Sequence, residues 1–238
     1  MFNIESLSYA FLIGFIPTLI WLMFWLLQDR KKPEPLALLV RAFIAGMVCV
    51  LLVLPIQKLA VDYIPMSFLL IFVWAAAEEL LKLLAAWITA LRTSATDEPI
   101  DIPIYLITVA LGFAALENTL FLITPLSNGL FEQSLITGNL RFLGATLIHV
   151  VSSAIIAGGF AFAFYKNRFK KFAYGFLGVI LAIVLHALFN FSIIKASADL
   201  LLTIFAAVWV GVMFLLLMLE RVKLLQRPAW WEKVFLKK

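Results

Sequence analysis

An all-α, polytopic membrane bundle of about seven transmembrane helices is predicted by three features of the sequence. Of 238 residues, 64% are hydrophobic and 14% charged, with a mean hydropathy of +1.06, which is more apolar surface than one soluble core buries. Seven apolar segments each approach the roughly 20 residues needed to cross a hydrocarbon core of about 30 Å. The cations are also unevenly divided between the connections, and the period-two alternation of a membrane barrel is absent.

The first segment, Leu7 to Leu27, follows a leader without a basic residue and exceeds a usual signal-peptide core, so it is expected to stay attached. Asp29 to Pro35 is then a polar, proline-containing turn. Leu36 to Ile56 is the second span and holds Cys49, the sole cysteine, which excludes an internal disulfide and suits packing. Pro17 and Pro55 are candidate kink positions. Ser67 to Leu91 is the third span, and Thr93 to Asp101 is an acidic turn carrying Asp97, Glu98 and Asp101. Ile102 to Thr124 is the fourth.

Pro125 to Leu140 mixes turn formers with apolar residues, and is expected to be a surface connection or a short amphipathic lid on the membrane. The remaining spans are Phe142 to Tyr165, Phe172 to Ile194 and Asp199 to Leu219. Residues 1–219 are therefore expected to form one membrane domain. Residues 220–238 alternate cations with Leu224, Leu225, Trp230, Trp231 and Phe235, which suits an interfacial tail contacting membrane lipids.

With the N-terminus outside, fifteen cations fall on the cytoplasmic side, in the turns at Arg30 to Lys32 and Lys166 to Lys171, at Arg41 and Arg92, and in the C-terminal tail. Only Lys58, Arg141 and Lys195 face out, and Lys82 remains in the membrane. The net charge of +5 thus follows from orientation and calls for no nucleic-acid partner. A multi-pass protein of the cell membrane is expected.

Charge inside the spans carries the functional signal. A charged group at mid-membrane costs roughly 2.5–3.5 kcal/mol on insertion scales, yet Glu78, Glu79, Lys82 and Glu117 lie in apolar spans, as do His149 and His186, the chain's only two histidines. On the third span Lys82 follows Glu78 by four residues and Glu79 by three, so both carboxylates can approach its ammonium along one helical face. Glu117 and Asn118 follow in the fourth span, as an acid and amide able to hold a metal, a water or a cation. His149 precedes Ser153 by four residues and His186 precedes Asn190 by four, which puts a polar partner on each imidazole's face.

Depth provides an independent check. At the helical rise, Glu78 lies about 16 Å from the outer edge near Ser67, Glu117 about 11 Å from Thr124, His149 about 12 Å from Arg141 and His186 about 13 Å from Lys195. One shared pocket in the outer half of the membrane is the expectation.

The strings Glu78-Glu79-x-x-Lys82, Phe113-x-x-x-Glu117-Asn118, His149-x-x-x-Ser153 and His186-x-x-x-Asn190 resemble the PrsW family of intramembrane proteases, relatives of the CAAX-processing and bacteriocin-processing (CPBP, ABI) membrane endopeptidases. The turn Asp29-Arg30-Lys31-Lys32-Pro33-Glu34-Pro35 also resembles that family's acidic, proline-rich turn, except that Lys32 stands where an acid is expected. The resemblance covers about Trp21 to Ile194. It implies peptide-bond hydrolysis of a single-pass membrane protein near the extracytoplasmic boundary, and, by likeness to PrsW itself, the first cut in an anti-sigma factor.

Two mechanisms are compatible with that likeness. In one, Glu117, His149 and His186 ligate Zn²⁺ and Glu78 or Glu79 accepts the proton of water. In the other, metal-free as in the CAAX endopeptidases, Glu78 with Glu117 activates water while His186 and Asn190 donate to the oxyanion. A proton-coupled transporter built on the same groups, or a catalytically silent scaffold, are the alternatives; no internal repeat supports the first, and retention of both glutamates and both histidines argues against the second.

Overall fold

A computed structural model describes residues 4–228, with the backbone alone at 198 and 199. Among these residues there is no strand. Helices α1 (Ile4–Leu26), α2 (Leu36–Tyr63), α3 (Phe68–Ala86) and α4 (Asp101–Ser127) are followed by α5 (Phe131–Leu140), α6 (Thr146–Phe162), α7 (Arg168–Lys195) and α8 (Ala198–Lys223). A 3₁₀ turn, Leu27–Asp29, ends α1; a π turn, Trp87–Leu91, extends α3; and a second, Arg141–Ala145, joins α5 to α6. Continuous helix therefore forms seven segments, matching the predicted number of spans.

Six of the segments are long and apolar enough to cross a membrane. The seventh, α3 with its π turn, is about 36 Å long, and is interrupted in its apolar character by Glu78, Glu79 and Lys82, all of which it turns inward and buries. The protein is a polytopic helical membrane protein. Leu, Ile, Val and Phe side chains crowd the outer faces of α1, α2, α7 and α8, as expected where the solvent is lipid.

Helix α4 occupies the centre. Every residue from Asp101 to Ala115 is buried, and the helix packs on α1, α2, α3 and α6. Without a hydrophobic force between helices inside a bilayer, close packing depends on small residues. Here Gly46 of α2 lies against the backbone of Val109 and Gly112 of α4 lies against the backbone of Phe43, so a Cβ at either position would collide with main chain. Helices α3 and α7 are packed together, as are α6 and α7, which brings the two histidine-bearing helices onto the Glu78-Glu79 face.

Ends are set by local chemistry. Ser67 caps α3 by accepting from the Leu70 N–H, and Asn167 caps α7 by accepting from that of Lys170. Both Pro17 and Pro55 lie within continuous helix. Cys49 is buried and donates to the Leu81 carbonyl at 3.4 Å, a packing role.

One expected connection is not a loop. Pro125 to Ser127 continue α4, a turn at Gly129 (φ 75°) reverses the chain, and Phe131 to Leu140 run as helix into α6. The fifth apolar segment is thus Phe131–Phe162, 32 residues rather than a span starting at Phe142. The turn formers mislead because the reversal needs only Asn128 to Leu130, while Gly138 serves close packing against Ile13 of α1. The aromatic tail residues Trp230, Trp231 and Phe235 and the terminal lysines lie outside the described residues.

Most connections rich in cations gather at one end of the bundle. There Lys32 bonds Asp97 at 2.5 Å and Glu98 at 3.2 Å, linking the α1–α2 turn to the turn before α4, and Lys223 reaches Gln28. Lys32, the departure from the expected acidic turn, has its own acidic partners.

Candidate active site

Four helices supply the buried ionisable groups, and all the groups foreseen from the sequence converge. Glu78, Glu79 and Lys82 come from α3, Glu117 and Asn118 from α4, His149 and Ser153 from α6, and His186 and Asn190 from α7. Glu78, Glu79, Lys82, His149 and His186 are each no more than 3% exposed. They lie beside a cavity of about 530 Å³ whose polar lining includes Glu78, Glu117, Arg141, His149, His186 and Asn190.

Glu79 is enclosed by donors. Its Oε1 accepts from Lys82 Nζ at 2.5 Å and from His186 Nδ1 at 2.8 Å, and its Oε2 accepts from Ser153 Oγ at 3.2 Å. Ser153 therefore serves Glu79 rather than the imidazole one turn before it. Buried polar groups persist where such bonding is complete, and the Glu79–Lys82 pair is fully shielded from solvent. Lys82 also lies over the Phe113 ring at 4.9 Å and reaches His149 Nδ1 at 3.2 Å.

Glu78 behaves differently although it is adjacent in sequence. Its Oε1 accepts from Gln57 of α2 at 2.8 Å, and its buried Oε2 has no hydrogen-bond partner. That oxygen faces His186 Nε2 at 3.6 Å and His149 Nδ1 at 4.0 Å. The imidazoles stand edge to face, ring centroids 4.9 Å apart.

Each imidazole has its other nitrogen on a carboxylate. His186 Nδ1 meets Glu79, and His149 Nε2 meets Glu117 Oε2 at 3.1 Å. If each of these nitrogens carries the proton, His186 Nε2 and His149 Nδ1 are the acceptor nitrogens, and both are turned toward Glu78 Oε2, with Lys82 also within reach of His149 Nδ1. One donor atom from each of Glu78, His149 and His186 lies within 4.8 Å of the others. The sequence suggested Glu117 with the two histidines as the ligand set; here the Glu117 carboxylate is engaged by Arg141 and by the far side of His149.

By sequence Arg141 is an outer charge marker; in the fold it is part of the site. It ion-pairs with Glu117, donates from Nε to Asn118 Oδ1 at 2.6 Å and covers the Phe121 ring. Asn118 in turn donates to Thr146 at 3.0 Å. A π turn holds more residues than an α turn, so the one at 141–145 brings Arg141 and His149, eight positions apart, round to the same pocket. Gln57, the other group missed, had one legible signal: an amide just past the apolar run of α2.

A model of the PrsW family, described as intramembrane metalloproteases, matches residues 34–219. The chain belongs to the PrsW protease family. Protease PrsW of Clostridioides difficile (strain 630) is 29% identical over 191 residues, covering 76% of this chain and 77% of that protein. Protease PrsW of Geobacillus kaustophilus (strain HTA426) is 30% identical over 183 residues, covering 74% and 76%. That of Oceanobacillus iheyensis is 28% identical over 197 residues, covering 81% and 86%. No solved structure matches. PrsW membership makes the chain an intramembrane protease of the cell membrane, and the matched region contains every ionisable group of the site.

Proposed function

We propose that this protease cuts a single-pass membrane protein near its extracytoplasmic boundary, with Glu78, His149 and His186 holding a divalent metal such as Zn²⁺. The observation that carries the proposal is the unpartnered Glu78 Oε2 facing an imidazole nitrogen of each histidine beside a cavity. Two nitrogens and one carboxylate form a donor set that suits catalytic zinc with an open position. When bound, the ion supplies Lewis acidity for activating water and polarising a carbonyl.

The protein's own groups then have separate tasks. Glu79, neutralised by Lys82, accepts from His186 Nδ1 and fixes that ring's tautomer and angle, and Glu117 does the same at His149 Nε2. Glu79 positions; with both oxygens occupied, it is poorly placed to accept a proton from water. Glu117, at the cavity wall and 19% exposed, takes that proton, while Arg141 balances its charge. Asn190, on the same wall, is the amide available to a developing oxyanion.

The contact of Lys82 with His149 Nδ1 favours a second, metal-free reading, because an ammonium there competes with a metal for the same lone pair. In that reading Glu78 is the base acting on water, and His186 and Asn190 stabilise the oxyanion. Family membership supports a membrane-embedded protein as substrate, and an anti-sigma factor with one span is the specific candidate. Orientation by the positive-inside rule puts the cavity nearer the outer face.

Reconstitution with a tagged single-span anti-sigma factor tests the proposal. Stoichiometric metal in the purified protein, with cleavage lost on chelation and restored by Zn²⁺, is expected. Full cleavage by metal-free protein would move the chemistry to Glu78 as base with His186 and Asn190 at the oxyanion, and no cleavage by metal-loaded protein would reject this substrate.

A further inference from the structure

A second cluster of acids stands at the opposite end of α4. Asp29 lies in the 3₁₀ turn closing α1, Glu34 in the turn that leads to α2, and Asp101 is the first residue of α4. One carboxylate oxygen of each lies within 4.8 Å of the other two. Asp101 lies 16 residues before Glu117, which separates this cluster from the catalytic cavity by about 24 Å along the helix.

Protein donors account for only part of the cluster. Asp101 Oδ2 accepts from the Asp97 and Glu98 N–H groups at 2.8 and 2.7 Å, and Glu34 accepts from the Tyr105 hydroxyl. Asp29, only 7% exposed, keeps a buried Oδ2 with no partner. Among the described residues no ion pair reaches any of the three acids, because the nearby cations are committed elsewhere. Lys32 is held by Asp97 and Glu98, and Lys223 by Glu220 and Gln28.

Three carboxylates crowded together repel one another, Lys32 and Lys223 act on Asp29 only from beyond ion-pair contact, and burial worsens the cost. The geometry points to a divalent cation site formed by Asp29, Glu34 and Asp101. The all-oxygen donor set selects a hard ion, Mg²⁺, Ca²⁺ or Mn²⁺, in contrast to the nitrogen-containing set of the catalytic cavity. Such an ion joins the α1–α2 turn to the start of the central helix, reinforcing the Lys32 bridge beside it.

The test uses the full-length protein in detergent, stripped with chelator and titrated with Mn²⁺, free Mn²⁺ being followed by electron paramagnetic resonance. A His149→Ala, His186→Ala background removes the catalytic donors. Expected in this background is one saturable Mn²⁺, a site the wild type also has, displaced by Mg²⁺ or Ca²⁺, with affinity reduced about tenfold or more when Asp29→Asn or Asp101→Asn is added. Mn²⁺ should also raise the thermal midpoint of the His149→Ala, His186→Ala background but not of that background carrying Asp29→Asn. Glu34→Gln, at a partly exposed position, gives a third variant should Asp101→Asn fail to fold. Absence of saturable binding, binding indifferent to the acid substitutions, or binding lost with the histidines instead would each overturn the site.

Discussion

Adjacent residues Glu78 and Glu79 have different fates, and the cause is the number of donors facing each. Glu79 meets Lys82, His186 and Ser153, whereas one oxygen of Glu78 meets none. Removing one partner of a buried ion pair leaves an uncompensated charge and costs about 3–5 kcal/mol. Lys82→Met is therefore expected to lower the unfolding midpoint strongly, and Lys82→Met with Glu79→Leu to recover part of the loss, as measured by a double-mutant cycle in detergent. Glu117→Gln should weaken metal affinity by about 10- to 100-fold through His149 and cleavage by on the order of 10²–10⁴-fold through loss of the proposed base, read by metal titration beside a cleavage assay. The spacing in α3 made the Lys82–Glu79 pair legible, but gave no hint that Glu78 bonds Gln57, because that partner lies on another helix and its position depends on how α2 packs on α3.

At the scale of the element, the π turn at Arg141–Ala145 and the glycine contact between α2 and α4 determine which side chains meet. Both were hidden in the sequence. Gly138, Asn139 and Arg141 resemble a connection by composition, and only tertiary packing reveals that they are helical. The spans themselves were legible since hydropathy reports length directly, and four polar pairs at helical spacing gave the faces. Gly112→Ala places a Cβ against the backbone of Phe43, where no rotamer change can relieve the collision. Overpacking of this kind costs about 1–3 kcal/mol, and because Glu117 sits five residues along the same helix, reduced cleavage should accompany the lower thermal midpoint. A Gly112→Ala protein with unchanged stability would show that α2 and α4 are not held this closely.

Across the whole molecule, antiparallel helices bring most cation-rich connections to one end and carry the proposed catalytic groups in the body of the bundle. On a Cys49→Ala background, a cysteine at exposed Lys195 should react with an impermeant thiol reagent in intact cells, and one at exposed Ser94 should not. The reverse pattern would invert the orientation and put the cut on the cytoplasmic side. What ties the scales together is the convergence of Glu78, His149 and His186, one donor atom of each within 4.8 Å of the others, on the proposed reacting centre. The most direct measurement is cleavage of the reconstituted single-span anti-sigma factor by Glu78→Gln, a nearly isosteric change that keeps an amide able to pair with Gln57. A folded, membrane-inserted Glu78→Gln protein is expected to lose on the order of 10²–10⁴-fold in rate, whether the carboxylate acts as ligand or as base. Cleavage by that protein at the wild-type rate would contradict the assignment of this site to catalysis.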